Sequence, residues 1–179
     1  MRKTWNVAAI AALMGTPAMA QTQPSPPCLT RDEANALFAF ALPEFLNSAH
    51  EKCAASLPKT SFLVAQGPQL IARHRAAAVN YWPAAKAAFI KMASKDDPKG
   101  DPARLLTKVP DDALRTLVVA GLSMAVSDDI KPADCPKADR LIEALAPLPA
   151  INLATIIVEI VGLSGSKSKE PPLSICEAS

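Results

Sequence analysis

The sequence is poor in the residues that build reactive or phosphate-binding loops. Six glycines in 179 residues, one of them among the first twenty, leave little room for a turn that cradles a nucleotide. No G-x-S-x-G, no H-E-x-x-H and no dinucleotide-binding glycine pattern occurs. Histidine appears twice, and aromatic residues make up 4% of the chain. A zinc site needs three or four ligands, and His50 with Cys53, three positions apart, offers only a pair. Asp96, Asp97 and Asp101 around Gly100 lack the EF-hand spacing and its terminal bidentate glutamate. The chain is therefore expected to be no enzyme and to carry no cofactor or metal. It also lacks the ~20 consecutive apolar residues that span a bilayer. Residues 148–163 come nearest and are interrupted by Glu159.

What is present starts at the N-terminus. Arg2 and Lys3 precede a short apolar run at 7–14, and Ala18-Met19-Ala20 is a small-x-small cleavage signal. This is the layout of a secretory signal peptide over residues 1–20. Cleavage near Ala20 places the mature chain in the periplasm or outside the cell, where thiols oxidise. No cysteine follows the cleavage point directly, so no lipoprotein anchor is expected. The leader also carries the whole net charge. Without Arg2 and Lys3, 17 basic residues face 17 acidic ones. A neutral chain lacks the basic stripe that displaces counterions from nucleic acid. Three of the five methionines and Trp5 leave with the leader, which excludes a methionine-rich copper carrier.

Alanine is abundant and strong β-formers are few, which predicts an all-α fold. The expectation is one compact bundle over residues 30–165, of about five to seven helices with proline kinks, stapled by two disulfides. Residues 21–29 read as an extended proline-rich lead, and residues 166–179 as a tail anchored through Cys176. Thr30-Arg31-Asp32-Glu33 fits a capping box. The stripe Phe38, Leu42, Leu46, Ala49 and Cys53 follows it. Pro43 interrupts that stripe and either kinks one helix or separates two. Residues 68–94 read as a long amphipathic helix kinked at Pro83. Asp111 and Asp112 open another helix at the positive end of its dipole. Leu114, Leu117, Val118, Leu122, Ala125 and Val126 surround this helix, so it is expected to be central and buried, together with 150–163. The isoleucine and valine run within 151–163 is read as helix because a lone strand has no partner.

Four cysteines in an exported chain imply two disulfides, with three possible connectivities. If residues 30–56 form one helix, Cys28 and Cys53 lie ~35 Å apart, whereas a disulfide needs Cα atoms within ~7 Å. The favoured pairing is Cys28–Cys53 with Cys135–Cys176, and it requires the chain to turn back at Pro43. If the helix runs on, both pairs must change.

Two functional classes remain. The first is a non-catalytic exported protein that binds a protein or envelope partner. The alternative is a carrier of a small apolar or amphipathic ligand in a pocket between helices. In that reading Tyr81, Trp82 and Phe89 line the pocket, with Arg73, His74 and Arg75 near its mouth. Glu159 either meets a basic residue or sits buried with a raised pKa. A pocket near Trp82 favours the carrier. An apolar patch exposed on a packed core favours the partner.

Overall fold

The computed structural model describes residues 28–94, 101–127, 130–165 and 174–176. The expected signal segment 1–20, residues 21–27 of the lead, the charged loop residues 95–100, residues 128–129 and tail residues 166–173 and 177–179 lie outside them. The described part is all-α, with seven helices of six residues or more and one single-turn helix.

Helix α1 (Arg31–Cys53) begins at the capping box. Thr30 Oγ1 accepts the Glu33 amide at 3.2 Å, and the Glu33 carboxylate accepts the Thr30 amide at 2.7 Å. The helix then runs through Pro43 unbroken. Pro43 has no amide to offer the carbonyl of Ala39, so one backbone bond is missing. Its ring is fully buried and supplies core contact in that place. Ala39, Phe40, Ala41, Leu42 and Pro43 are buried in succession, so the middle of α1 is covered on every side. The small side chains of Ala34, Ala36, Ala39 and Ala41 let neighbouring helices approach closely. Around α1 pack α3 (Gly67–Ala78), α4 (Trp82–Ala93), α6 (Asp111–Ser127) and α8 (Ala150–Gly165).

The central position therefore belongs to α1, not to residues 113–126 or 150–163. On α6, Leu114 and Val118 are buried while Leu117 is 55% exposed. The side chains of Leu122, Ala125 and Val126 lie outside the described set. The isoleucine-rich segment is helical, as expected. Ala150, Leu153, Ala154 and Val158 of α8 face inward, and Ile156 and Ile160 face outward. Both helices are walls of the core.

The helix expected over 68–94 is two helices. A 3-10 turn, Val79–Tyr81, separates α3 from α4. Pro83 sits in the first turn of α4, where its missing amide has no partner to lose. Three shorter helices complete the set. They are α2 (Phe62–Ala65), α5 (Asp101–Leu106) and α7 (Cys135–Leu145), the last preceded by a 3-10 turn, Pro132–Asp134.

The disulfides are Cys28–Cys176 and Cys53–Cys135, with Cα separations of 5.0 and 5.4 Å. This corrects the favoured pairing of Cys28 with Cys53 and Cys135 with Cys176. Because α1 continues through Pro43, it carries Cys53 a full helix length away from Cys28. Cys28 is left at the start of α1, where residues 174–176 come alongside it. There Leu29 and Ile175 form an isolated parallel bridge. The Leu29 amide donates to Ser174 O at 2.8 Å, and the Cys176 amide donates to Leu29 O at 2.8 Å.

Replacing Cys53 and Cys135 together by serine opens a loop closed over 82 positions. By chain entropy this costs about 4–5 kcal/mol, read as a fall in the urea midpoint. Non-reducing digestion should link the Cys53 peptide to the Cys135 peptide. Recovery of a Cys28–Cys53 cross-link contradicts the fold.

Candidate functional site

The placement of α7 creates the main surface feature. Cys135 ties its first turn to the last residue of α1, and its side packs on α2. Asp139 reaches across to α2, where its Oδ1 accepts the Leu63 amide at 2.6 Å. Ser61 at the N-cap of α2 makes no capping bond of its own, so an acid from α7 fills that role. At the far end, Arg73 of α3 donates from Nη2 to the carbonyl of Ala146. These contacts hold α7 to α1, α2 and α3 and leave a trough between α7 and α8.

The trough has a volume of about 340 Å³. Leu42 and Leu46 of α1, Leu70 and His74 of α3 and Leu153 of α8 are its buried floor. Leu141 of α7 and Ile156 and Ile160 of α8 are on its rim, 61%, 41% and 57% exposed. Among the described residues, His74 is the one polar side chain in the lining. It is 2% exposed, and burial, followed by the charge of Arg73, holds its pKa below the ordinary 6.5. His74 is thus neutral at physiological pH.

A second, more open depression of about 520 Å³ adjoins the trough. Leu70 and Ala146 line both. Gln66, Gln69, Arg73 and Glu143 give the second depression a polar wall. The Arg73 Nη2 atom lies 3.5 Å from His74 Nε2. Among the described residues, no carboxylate lies within 4 Å of the Arg73 guanidinium. An apolar trough thus adjoins a depression with one polar wall, and Arg73 of that wall is bonded to Ala146 at the junction.

The other residues singled out in the sequence lie elsewhere. Trp82 is buried in the core beside Phe40, with ring centroids 4.9 Å apart. Its Nε1 donates to Asp111 Oδ2 at 2.6 Å, while Lys86 Nζ donates to Asp111 Oδ1 at 2.5 Å. Those two bonds hold the Asp111 carboxyl below its ordinary range, the Lys86 bond contributing most. Tyr81 and Phe89 pack against the same core cluster. None of these three aromatics lines either depression. Arg75 pairs with Glu44 at 3.3 Å and borders a smaller cleft of about 220 Å³ near Pro43. Of the six contact residues named from sequence, the structure brings together Arg73 and His74.

His50 accepts no metal partner among the described residues. Its Nδ1 lies 2.9 Å from Leu63 O, and Cys53 is in its disulfide. No group of three or more His, Cys, Asp or Glu side chains suited to a metal ion occurs among the described residues. Glu159 is exposed and pairs with Arg31. Sequence reasoning missed Leu141, Ile142, Ile156 and Ile160 as site residues. Their apolar character was visible, and it was attributed to the core.

The class defined by these features is a small all-α protein, closed by two disulfides, with an apolar trough open at its surface. The chain matches no protein-family model, no curated protein and no solved structure. Among the described residues no helix is long and apolar enough to cross a membrane.

Two outcomes test this geometry. Asp139→Ala removes the acceptor of the Leu63 amide and should cost about 1 kcal/mol in chemical denaturation, as for loss of a helix cap. For His74, the unfolded chain takes up a proton near pH 6.5 while the folded chain resists it, so stability should fall as pH drops below 6.5. Glu33, whose carboxyl is lowered chiefly by the hydrogen bond from Lys91, loses its contribution only as pH falls below 4.5. Denaturation midpoints between pH 6.5 and 4.5 should therefore decline in the wild type and decline less in His74→Gln. Identical slopes refute the buried neutral histidine.

Proposed function

We propose that this is an exported, non-catalytic binding protein whose α7–α8 trough takes the apolar part of a small amphipathic ligand. The observation that carries the reading is the joining of two unlike depressions at Leu70 and Ala146, one almost wholly apolar and the other of mixed lining with one polar wall. The trough does not lie at Trp82, where the carrier reading expected its pocket, but its volume of about 340 Å³ is within the ~300–1,000 Å³ typical of small-molecule sites. Export rests on Arg2, Lys3, the apolar run and Ala18-Met19-Ala20, together with two disulfides suited to an oxidising compartment.

A partner protein is the second reading. It draws on the exposure of Leu141, Ile156 and Ile160 along the rim, an apolar patch of the kind that marks an interaction surface.

Native mass spectrometry of protein purified from its own envelope separates the two. A small-molecule adduct lost on denaturation supports the carrier, whereas a clean apo mass together with a stable protein complex overturns it. An environment-sensitive dye gives the variant test. Leu141→Glu and Ile156→Glu change rim residues, so helicity and melting temperature should stay close to wild type. Dye affinity should fall at least tenfold, about 1.4 kcal/mol. Unchanged affinity in the double variant removes the trough from the proposal.

A further inference from the structure

We propose that the ligand is a fatty acid, its hydrocarbon tail lying in the α7–α8 trough and its carboxylate bound by Arg73. This rests on the reading of the trough as an amphiphile site and adds the chemistry of the head group.

Three observations point to a monoanion. First, Arg73 lines the second depression and bonds the carbonyl of Ala146, which lines both, so a head group emerging past Leu70 and Ala146 reaches its guanidinium. Second, Arg73 is held in place by donating from Nη2 to the carbonyl of Ala146, and its other N–H groups meet no protein acceptor among the described residues. A positioned planar guanidinium with donors to spare fits a carboxylate, and its prior ordering lowers the cost of binding. Third, Arg73 is the one cation lining the second depression among the described residues, and Glu143 lines it too. A dianionic phosphate would bring two charges to one guanidinium beside an acid. A carboxylate brings one, and the side-chain amides of Gln66 and Gln69 add neutral donors on the same wall. The tail needs no polar partner, because the trough's single polar lining residue among the described ones, His74, is buried and turned toward Arg73 through Nε2.

Dodecanoate, 1-dodecanol, dodecyltrimethylammonium and dodecyl phosphate share one tail and differ in the head. Each is titrated at neutral pH, below its critical micelle concentration, against the full mature protein with a displaceable dye. Dodecanoate should bind at least tenfold more tightly than the alcohol, and the quaternary amine more weakly than either. Shortening the acid to decanoate and octanoate should lower affinity by about fourfold per methylene. Arg73→Gln also removes the bond to Ala146 O, so its readout is the acid-to-alcohol ratio within the variant, which should fall to about one. Arg73→Lys should keep part of the preference. Equal binding of acid and alcohol by the wild type overturns the fatty-acid assignment while the amphiphile site stands. Tenfold tighter binding of the phosphate, or an undiminished acid preference in Arg73→Gln, overturns it as well. Failure of all four to bind removes the amphiphile site itself, which separates the two failures.

Discussion

Helix α1 passes through a proline without breaking, and the rest of the molecule is arranged around that continuity. Twenty-three residues of uninterrupted helix set the two ends of α1 about 35 Å apart. Cys28 stands at one end and Cys53 at the other, so each must find a partner from a distant part of the chain. The consecutive buried residues from Ala39 to Pro43 explain why four helices can pack on one. A helix coated on one side would have needed a second central element.

The trough follows from the same constraint. The distal end of α1 delivers Cys53 to α7 and fixes where α7 starts. Asp139 then binds α7 to α2, and Arg73 binds the segment after α7 to α3. None of these ties involves α8, which packs on α1 through Leu153, Ala154 and Val158. Two helices that share α1 as a support but are not fastened to each other leave their facing leucines and isoleucines only half covered. The apolar surface is thus a product of how α7 is fastened, and its cation is one of the fasteners.

Much of this was legible from local signals. The capping box at Thr30, the acids at the start of α6 and the helix hidden in the isoleucine run are properties of short stretches, and each is found where the residues imply. What the sequence did not disclose depends on tertiary packing. Pro43 carries the same local rule whether a helix kinks or ends, and only the helices around it decide. The apolar residues of α6 suggested a central helix, yet Leu117 is exposed because α1 already holds the centre through alanines that read as neutral. For the site, Arg73 and His74 were visible as a basic pair beside an apolar stripe. Trp82 belongs to the core rather than to a pocket, although a large aromatic beside a proline suits a pocket wall and a core equally. Leu141 and Ile156 could be found only after the disulfides were known, since their exposure depends on where α7 is tied.

The long separation within each disulfide has a consequence for how the oxidised chain is assembled. Synthesis delivers Cys28 first, and the next thiol to appear is Cys53, the wrong partner. Cys176 follows Cys28 by 148 positions. Random oxidation in order of arrival would join the first two cysteines. Once α1 is helical, however, it is a rigid spacer that keeps those two sulfurs from meeting. The capping box at Thr30 stabilises the first turn of that spacer, and so favours the geometry in which Cys28 and Cys53 stay apart.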